Sequence, residues 1–232
     1  MPRGPIAVVF DVEGTLIDCV PLVLESWRET LHEAGHRFSV QDLQPYSGLD
    51  GAWMLEQLLP LESSDARAQL LEAQGRRYRS HFLRHARPFP GVRELFERLK
   101  GWDVAIGLAT TCKGDELAAY DESLQVRSLA DAVVCGEAVK HGKPDPALLR
   151  HCLDMLHIVK ASTALAVGDT PYDVMAAQGA GMRSAGVLTG GFTEQSFLAV
   201  GCDQVIERVG SLTRLWHSER PQRRHQGSAR LS

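Results

Sequence analysis

The chain lacks any apolar run long enough to cross a bilayer; stretches such as "AVVF" and "TALAV" are only of strand length. No secretory leader is expected either, because "MPRGPIAVVF" runs straight into acids. Basic charge is not in excess. There are 25 Lys and Arg against 29 Asp and Glu, a net charge of -4, and no basic-aromatic stripe offers a nucleic-acid surface. Cysteine is sparse and scattered, at Cys19, Cys112, Cys135, Cys152 and Cys202. Without a C-x-x-C pair this argues against a zinc site or a disulfide framework and favours a reducing cytosol, hence a cytoplasmic protein. None of the nine histidines falls in an H-E-x-x-H spacing. Lysine is absent before Lys100, and no internal repeat is visible.

What remains is an ordinary globular composition, 44% hydrophobic and 23% charged over 232 residues. That length suits one α/β domain, or a core domain with a smaller insertion. Short β-branched runs predict strands near 6–10, 103–109, 132–135, 163–167 and 184–188, with a weaker one near 204–206. Between them "GVRELFERLKG", "KGDELAAYDESL", "DPALLRHCLDML" and "PYDVMAAQGAG" carry apolar residues at helical spacing, with Pro146 just inside one start and Gly179 and Gly181 near another end. Strands alternating with helices imply right-handed crossovers and a doubly wound parallel sheet. Residues 17–88 break the rhythm. They read as about four helices with no convincing strand, inserted after the first strand, and "RPFPG" reads as the return hinge. The expected division is a core of 1–16 and 89–216, a helical insertion of 17–88, and a disordered polar tail of 217–232.

Four chemically loaded segments follow strands or lie between them: "DVEGT" with Asp11 and Glu13, "ATTCKG" with Thr110 and Thr111, "KHGKPDP" with Lys143, and "GDTPYD" with Asp169 and Asp173. In an open parallel sheet, ligands bind outside the carboxyl ends of the strands, so all four would meet at one edge. Each has a plain alternative. Asp11 and Glu13 could be turn acids, Thr110 a strand residue or helix cap, and Lys143 a solvated loop lysine. Thr170 and Asp173 suit a capping box, with Pro171 at the first helical position. That alternative leaves Asp169 unexplained. Taken together, four carboxylates repel, by roughly 4 kcal/mol per pair about 4 Å apart at an effective dielectric near 20. Oxygen ligands alone suit Mg²⁺, and with a lysine and a hydroxyl beside them the set suits phosphoryl transfer.

These motifs resemble those of the haloacid dehalogenase-like hydrolase superfamily, in its order, over roughly residues 5–16 and 90–206. The helical insertion is similar to its type-one cap. The resemblance implies a Mg²⁺-dependent phosphatase for a small phosphorylated metabolite, with no nucleic acid or membrane partner, as a monomer or homodimer. It implies that Asp11 attacks phosphorus to give an aspartyl-phosphate, and that Glu13 serves as general acid and then base. Mg²⁺ would be held by Asp11, the Glu13 backbone carbonyl and Asp169, with Asp173 in support. Thr110 and Lys143 would hold phosphoryl oxygens, with Thr111 beside them. A phosphomutase on the same fold, or a non-catalytic binding relative, is the alternative.

Position 13 departs from the pattern, since the family usually has Asp at both acids; enolase-phosphatases look like D-x-E-G-T. A dehalogenase would usually carry an aromatic at position 13, and a phosphonate hydrolase needs a cap lysine that this chain lacks. In the cap, "YSGLDGAW" offers Ser47 and Asp50 as hydrogen-bonding groups for substrate, or is an ordinary helix-helix turn. Arg76, Arg77 and Arg79 read as a solvated helix face before an anion site, and Cys112 as a small packing residue.

Overall fold

Alternate residues of the first apolar run go to opposite faces of a sheet, as a period of two requires. In the computed structural model, which describes residues 4–213, Val8 and Phe10 join one buried cluster and Ala7 and Val9 another. This run is β1 (Ala7–Phe10), and the later strands are β2 (Ile17–Asp18), β3 (Arg87–Pro88), β4 (Ala105–Ala109), β5 (Ala132–Val134), β6 (Ala164–Gly168), β7 (Arg183–Val187) and β8 (Gln204–Ile206). Six of them form one sheet in the order β5-β4-β1-β6-β7-β8, with every neighbouring pair parallel. Both faces are covered by helices, which is why these strands read as apolar runs rather than alternations.

The strand order reverses at β1, where the chain turns from one half of the sheet to the other. Phe10 pairs with Leu108 on one side and with Val167 on the other. The register therefore brings the segments after β1, β4 and β6 out of the sheet nearly in step, at the crevice where such folds bind ligands.

The helices are α1 (Val20–Glu33), α2 (Val40–Leu43), α3 (Gly51–Leu58), α4 (Ser64–Arg77), α5 (Val92–Gly101), α6 (Gly114–Leu124), α7 (Ala147–Met155), α8 (Pro171–Ala180) and α9 (Glu194–Ala199). The first four pack around their own apolar centre, built from Leu24, Trp27, Leu31, Met54, Leu55 and Leu70. Two details differ from expectation. The inserted segment does contain strand, because β2 and β3 pair antiparallel at its base. Two-residue strands carry no periodicity, so nothing in the sequence marks them. Pro146 lies one residue before α7, as its N-cap, rather than inside it. Directly after α4 the chain is π-helical at Tyr78–Phe82, before a final turn at Leu83–His85. Such bulges are frequent at functional sites. The tail expected at 217–232 lies outside the described residues. Among the described residues, no helix is long and apolar enough to cross a membrane.

The rings of Phe10 and Phe96 stack at 4.9 Å, both fully buried, and join β1 to α5. Phe96→Ala should cost about 3–5 kcal/mol of unfolding free energy, the usual range for a buried aromatic. Chemical denaturation measures it, and a loss of less than about 1 kcal/mol would mean the cluster repacks without it.

Candidate active site

Two of the loaded segments leave a strand end with their first amide bonded to the neighbouring strand. The Asp11 amide donates to Val167 O at 2.9 Å, and the Thr110 amide to Val134 O at 3.0 Å. Gly14 then turns the first loop at a φ of 75°, and a Cβ there would stand 2.1 Å from Asp169 Oδ2. Only glycine fits so close an approach in that conformation. Thr15 donates its hydroxyl to Asp169 Oδ1 at 3.1 Å, tying the first loop to the fourth. At the start of α8 the expected capping box is present: Thr170 Oγ1 accepts from the Asp173 amide and donates to Asp173 Oδ2. That fixes Asp173 locally and turns its Oδ1 toward the site.

Lys143 Nζ lies 2.6 Å from Asp11 Oδ1 and 2.6 Å from Asp173 Oδ1. All three side chains are buried. Asp11, Asp169 and Asp173 each offer a carboxylate oxygen within 4.8 Å of the others. Burial raises the Asp11 pKa to about 6, with Lys143 pulling the other way. Burial, then the charges of Asp173 and Asp11, lift Asp169 well above the usual carboxylate range. Burial works against the Lys143 charge, but Asp11 and Asp173 outweigh it and hold the ammonium protonated. One lysine against three carboxylates leaves negative charge in excess. Buried oxygen donors with uncompensated charge fit a hard divalent cation. Asp169 is the carboxylate with the fewest other duties, since Lys143 meets the other two.

A model of the haloacid dehalogenase-like hydrolase family matches residues 8–187. The chain belongs to that family. It is 29% identical over 207 residues to the pyrophosphatase PpaX of Bacillus velezensis, an alignment covering 89% of this chain and 94% of that one. It is 31% identical over 231 residues to a phosphoglycolate phosphatase of Neisseria meningitidis, covering 94% of each. A solved hydrolase of Pseudomonas syringae superposes with a TM-score of 0.83 at 24% identity, covering 90% of this chain and 97% of that one. The resemblance drawn from four short motifs holds: this is an enzyme of a hydrolase family, and the named relatives are phosphatases.

The remaining expected residues of this hydrolase divide. Glu13 does not join the three converging carboxylates with its side chain. Its Oε1 instead accepts from the Tyr120 hydroxyl at 2.6 Å. Burial pushes Glu13 up to about 7, opposed by that hydrogen bond and helped by the charges of Glu116 and Asp11. The Thr110 hydroxyl accepts the Cys112 amide at 3.2 Å, and Thr111 lines a cleft of about 520 Å³ between cap and core. Asp50 caps α3 through Oδ1 and accepts the Gly142 amide through Oδ2 at 2.9 Å, while its own amide donates to Lys143 O. These bonds join the cap loop to the Lys143 loop. Ser47 is half-buried in the same loop, outside the cleft lining, which takes in Tyr46, Gly48 and Asp50.

The arginines also divide. Arg76 pairs with Glu72 on an exposed face, as expected, and Arg77 reaches across to Glu29 and Glu33 on α1. Arg79 departs from a solvated face: it lines the cleft and pairs with Glu116 of α6 at 3.1 Å. Cys112 is buried in the core cluster, with its thiol held protonated by burial first and by the Glu13 charge second. Sequence reasoning passed over Thr15, Tyr78 and Tyr120. Only "DVEGT" itself held a signal, for Thr15.

Because Asp169 sits among like charges with a single hydroxyl partner, Asp169→Asn should stabilise the metal-free protein. Each kcal/mol of repulsion relieved should raise the melting point by about 2–4 °C in chelator. The same variant should gain less stabilisation than the parent from an added divalent cation, if the three carboxylates hold one. Thermal melts with and without the metal measure both. A lowered melting point in chelator would show that Asp169 is held by partners rather than strained by its neighbours.

Proposed function

We propose that this protein is a Mg²⁺-dependent phosphatase that hydrolyses a small phosphorylated metabolite through an aspartyl-phosphate on Asp11. The observation that carries the reading is the placing of Lys143 Nζ, 2.6 Å from both Asp11 and Asp173, at the crevice where the sheet reverses. A surface salt bridge has no need of that position. A phosphate-binding centre does, since the lysine can offset both the carboxylates and the incoming phosphoryl oxygens.

In the first step a carboxylate oxygen of Asp11 forms a bond to phosphorus. The bond from phosphorus to the leaving oxygen breaks, and Glu13 gives that oxygen its proton. In the second step Glu13, now a carboxylate, takes a proton from a water whose oxygen bonds to phosphorus. The acyl-phosphate bond breaks, which restores the Asp11 carboxylate and frees inorganic phosphate. Lys143 neutralises charge on the phosphoryl oxygens in both steps, and Thr110 supplies a hydroxyl there. Mg²⁺ would be held by the Asp11 and Asp169 carboxylates and the Glu13 backbone carbonyl, with Asp173 in support, and supplies positive charge that offsets the carboxylates as an anion approaches. The cap covers the cleft in which the leaving group lies and limits its size.

The relatives' names, one a pyrophosphatase and one a phosphoglycolate phosphatase, support small phosphorylated substrates without choosing among them. Five unpaired cysteines, four of them buried, support a reducing, cytoplasmic setting. Each chain carries every proposed group of the site, so the reading needs no partner subunit and is consistent with a monomer or homodimer. Phosphate release from a panel of phosphate monoesters and pyrophosphate, with Mg²⁺ and then with chelator, tests the reading. Turnover should vanish in chelator, and Asp11→Asn should be inactive on every substrate while keeping its fold. Isomerised product without phosphate release would favour a phosphomutase instead. Lys143→Ala should lower kcat by about 10²–10³-fold, as loss of a comparable electrostatic stabiliser does. A raised KM at unchanged kcat would confine the lysine to ground-state binding.

A further inference from the structure

Position 13 carries a longer arm than the aspartate it replaces, and a longer arm has more rotamers to lose. An acid that must meet a leaving oxygen and then a water needs to be held in one of them. The structure holds it by a chain of two phenols. Tyr120 of α6 donates to Glu13 Oε1 at 2.6 Å, and the Tyr78 hydroxyl lies 2.6 Å from the Tyr120 hydroxyl. A phenol that donates to a carboxylate keeps its oxygen free to accept, so Tyr78 is the donor in the second bond. Both tyrosines are nearly fully buried. Burial and the Glu13 charge hold both well above the ordinary phenol pKa, so each remains a donor.

The two ends of this chain belong to different parts of the molecule. Tyr78 opens the π-helical stretch of the cap, whereas Tyr120 and Glu116 stand one turn apart on α6 of the core. Arg79, the next cap residue, pairs with Glu116. Cap and core therefore meet beside Glu13 through two polar contacts, and Glu13, Tyr78, Arg79 and Glu116 all line the same cleft.

We propose that Tyr120 is the positioning residue for Glu13: it fixes one carboxyl oxygen and leaves the other to exchange protons with the leaving group and water. Tyr78 orients Tyr120 from the cap, so the acid is fully ordered only when the cap is in place. This inference rests on the phosphatase reading, with Glu13 as acid and base. It goes beyond that reading by giving the longer side chain a partner that makes it competent.

The test compares an alkyl phosphate, whose leaving oxygen needs a proton, with nitrophenyl phosphate, whose leaving oxygen does not. Tyr120→Phe should lower kcat for the alkyl ester about 10-fold more than the burst rate for the nitrophenyl ester, with KM little changed. Tyr78→Phe should move the same ratio in the same direction by less. In a Glu13→Gln background, adding Tyr120→Phe should change the ratio no further, because the group it positions has already lost its proton. Equal losses on both esters, or a further loss in the Glu13→Gln background, would give Tyr120 a packing role and overturn the inference. If Tyr120→Phe does not fold, Tyr78→Phe decides by the same ratio. The two failures are distinguishable. A parent protein that releases no phosphate, or a Glu13→Gln variant without leaving-group dependence, removes the underlying reading and this inference with it. Dependence in Glu13→Gln but in neither phenylalanine variant removes this inference alone.

Discussion

Like charge buried at the end of a parallel sheet is the constraint on which the rest of this molecule turns. Asp11, Asp169 and Asp173 lie within reach of one another where water is largely excluded, and Lys143 meets only two of them. Such a cluster persists only if the surrounding structure over-determines it. Two devices set the three acids. Sheet register sets Asp11 and Asp169, and the capping box of α8 sets Asp173. The lysine stands on a loop, and that loop is held by the cap: Asp50 accepts the Gly142 amide and donates its own amide to Lys143 O. The cap thus supports the charge balance of the core as well as covering the cleft.

The sheet was legible in the sequence because strands buried on both faces are continuous apolar runs, as "IAVVF" and "TALAV" are. Their alternation with helices of ten or so residues then leaves few topologies open. The α8 start was legible for a local reason, since Thr170, Pro171 and Asp173 are a capping signal within four residues. The β2–β3 pair was not, because two residues of strand are defined by a partner some 70 positions away and by no pattern of their own. The π-helical turn at Tyr78 was hidden in the same way: "RRYRSHF" is as good a helix as any, and packing decides its pitch.

The site divides along the same line. Residues announced by short motifs, Asp11, Thr110 and Asp169 at strand ends and Lys143 on a loop, lie at one edge of an open parallel sheet. Residues whose partners lie far off in sequence were passed over or read only as part of a local pattern. Tyr120 is an apolar-face residue of an amphipathic helix, and nothing marks its hydroxyl as bound to an acid 107 positions earlier. Arg79 stands in a run of arginines whose other members are surface ion pairs, and only the fold of the cap separates it from them. Asp50 was noticed for its oxygens, and both accept backbone amides while the residue lines the cleft.

The central claim is that the carboxylate beside Lys143 is a nucleophile and not merely a metal ligand. Acid quench during turnover of a slowly hydrolysed phosphate ester, followed by peptide mass spectrometry, addresses it directly. The account predicts phosphate on the peptide "VVFDVEGTL", attached at Asp11. Phosphate on another residue, or full turnover with no labelled peptide trapped at any time point, would contradict it.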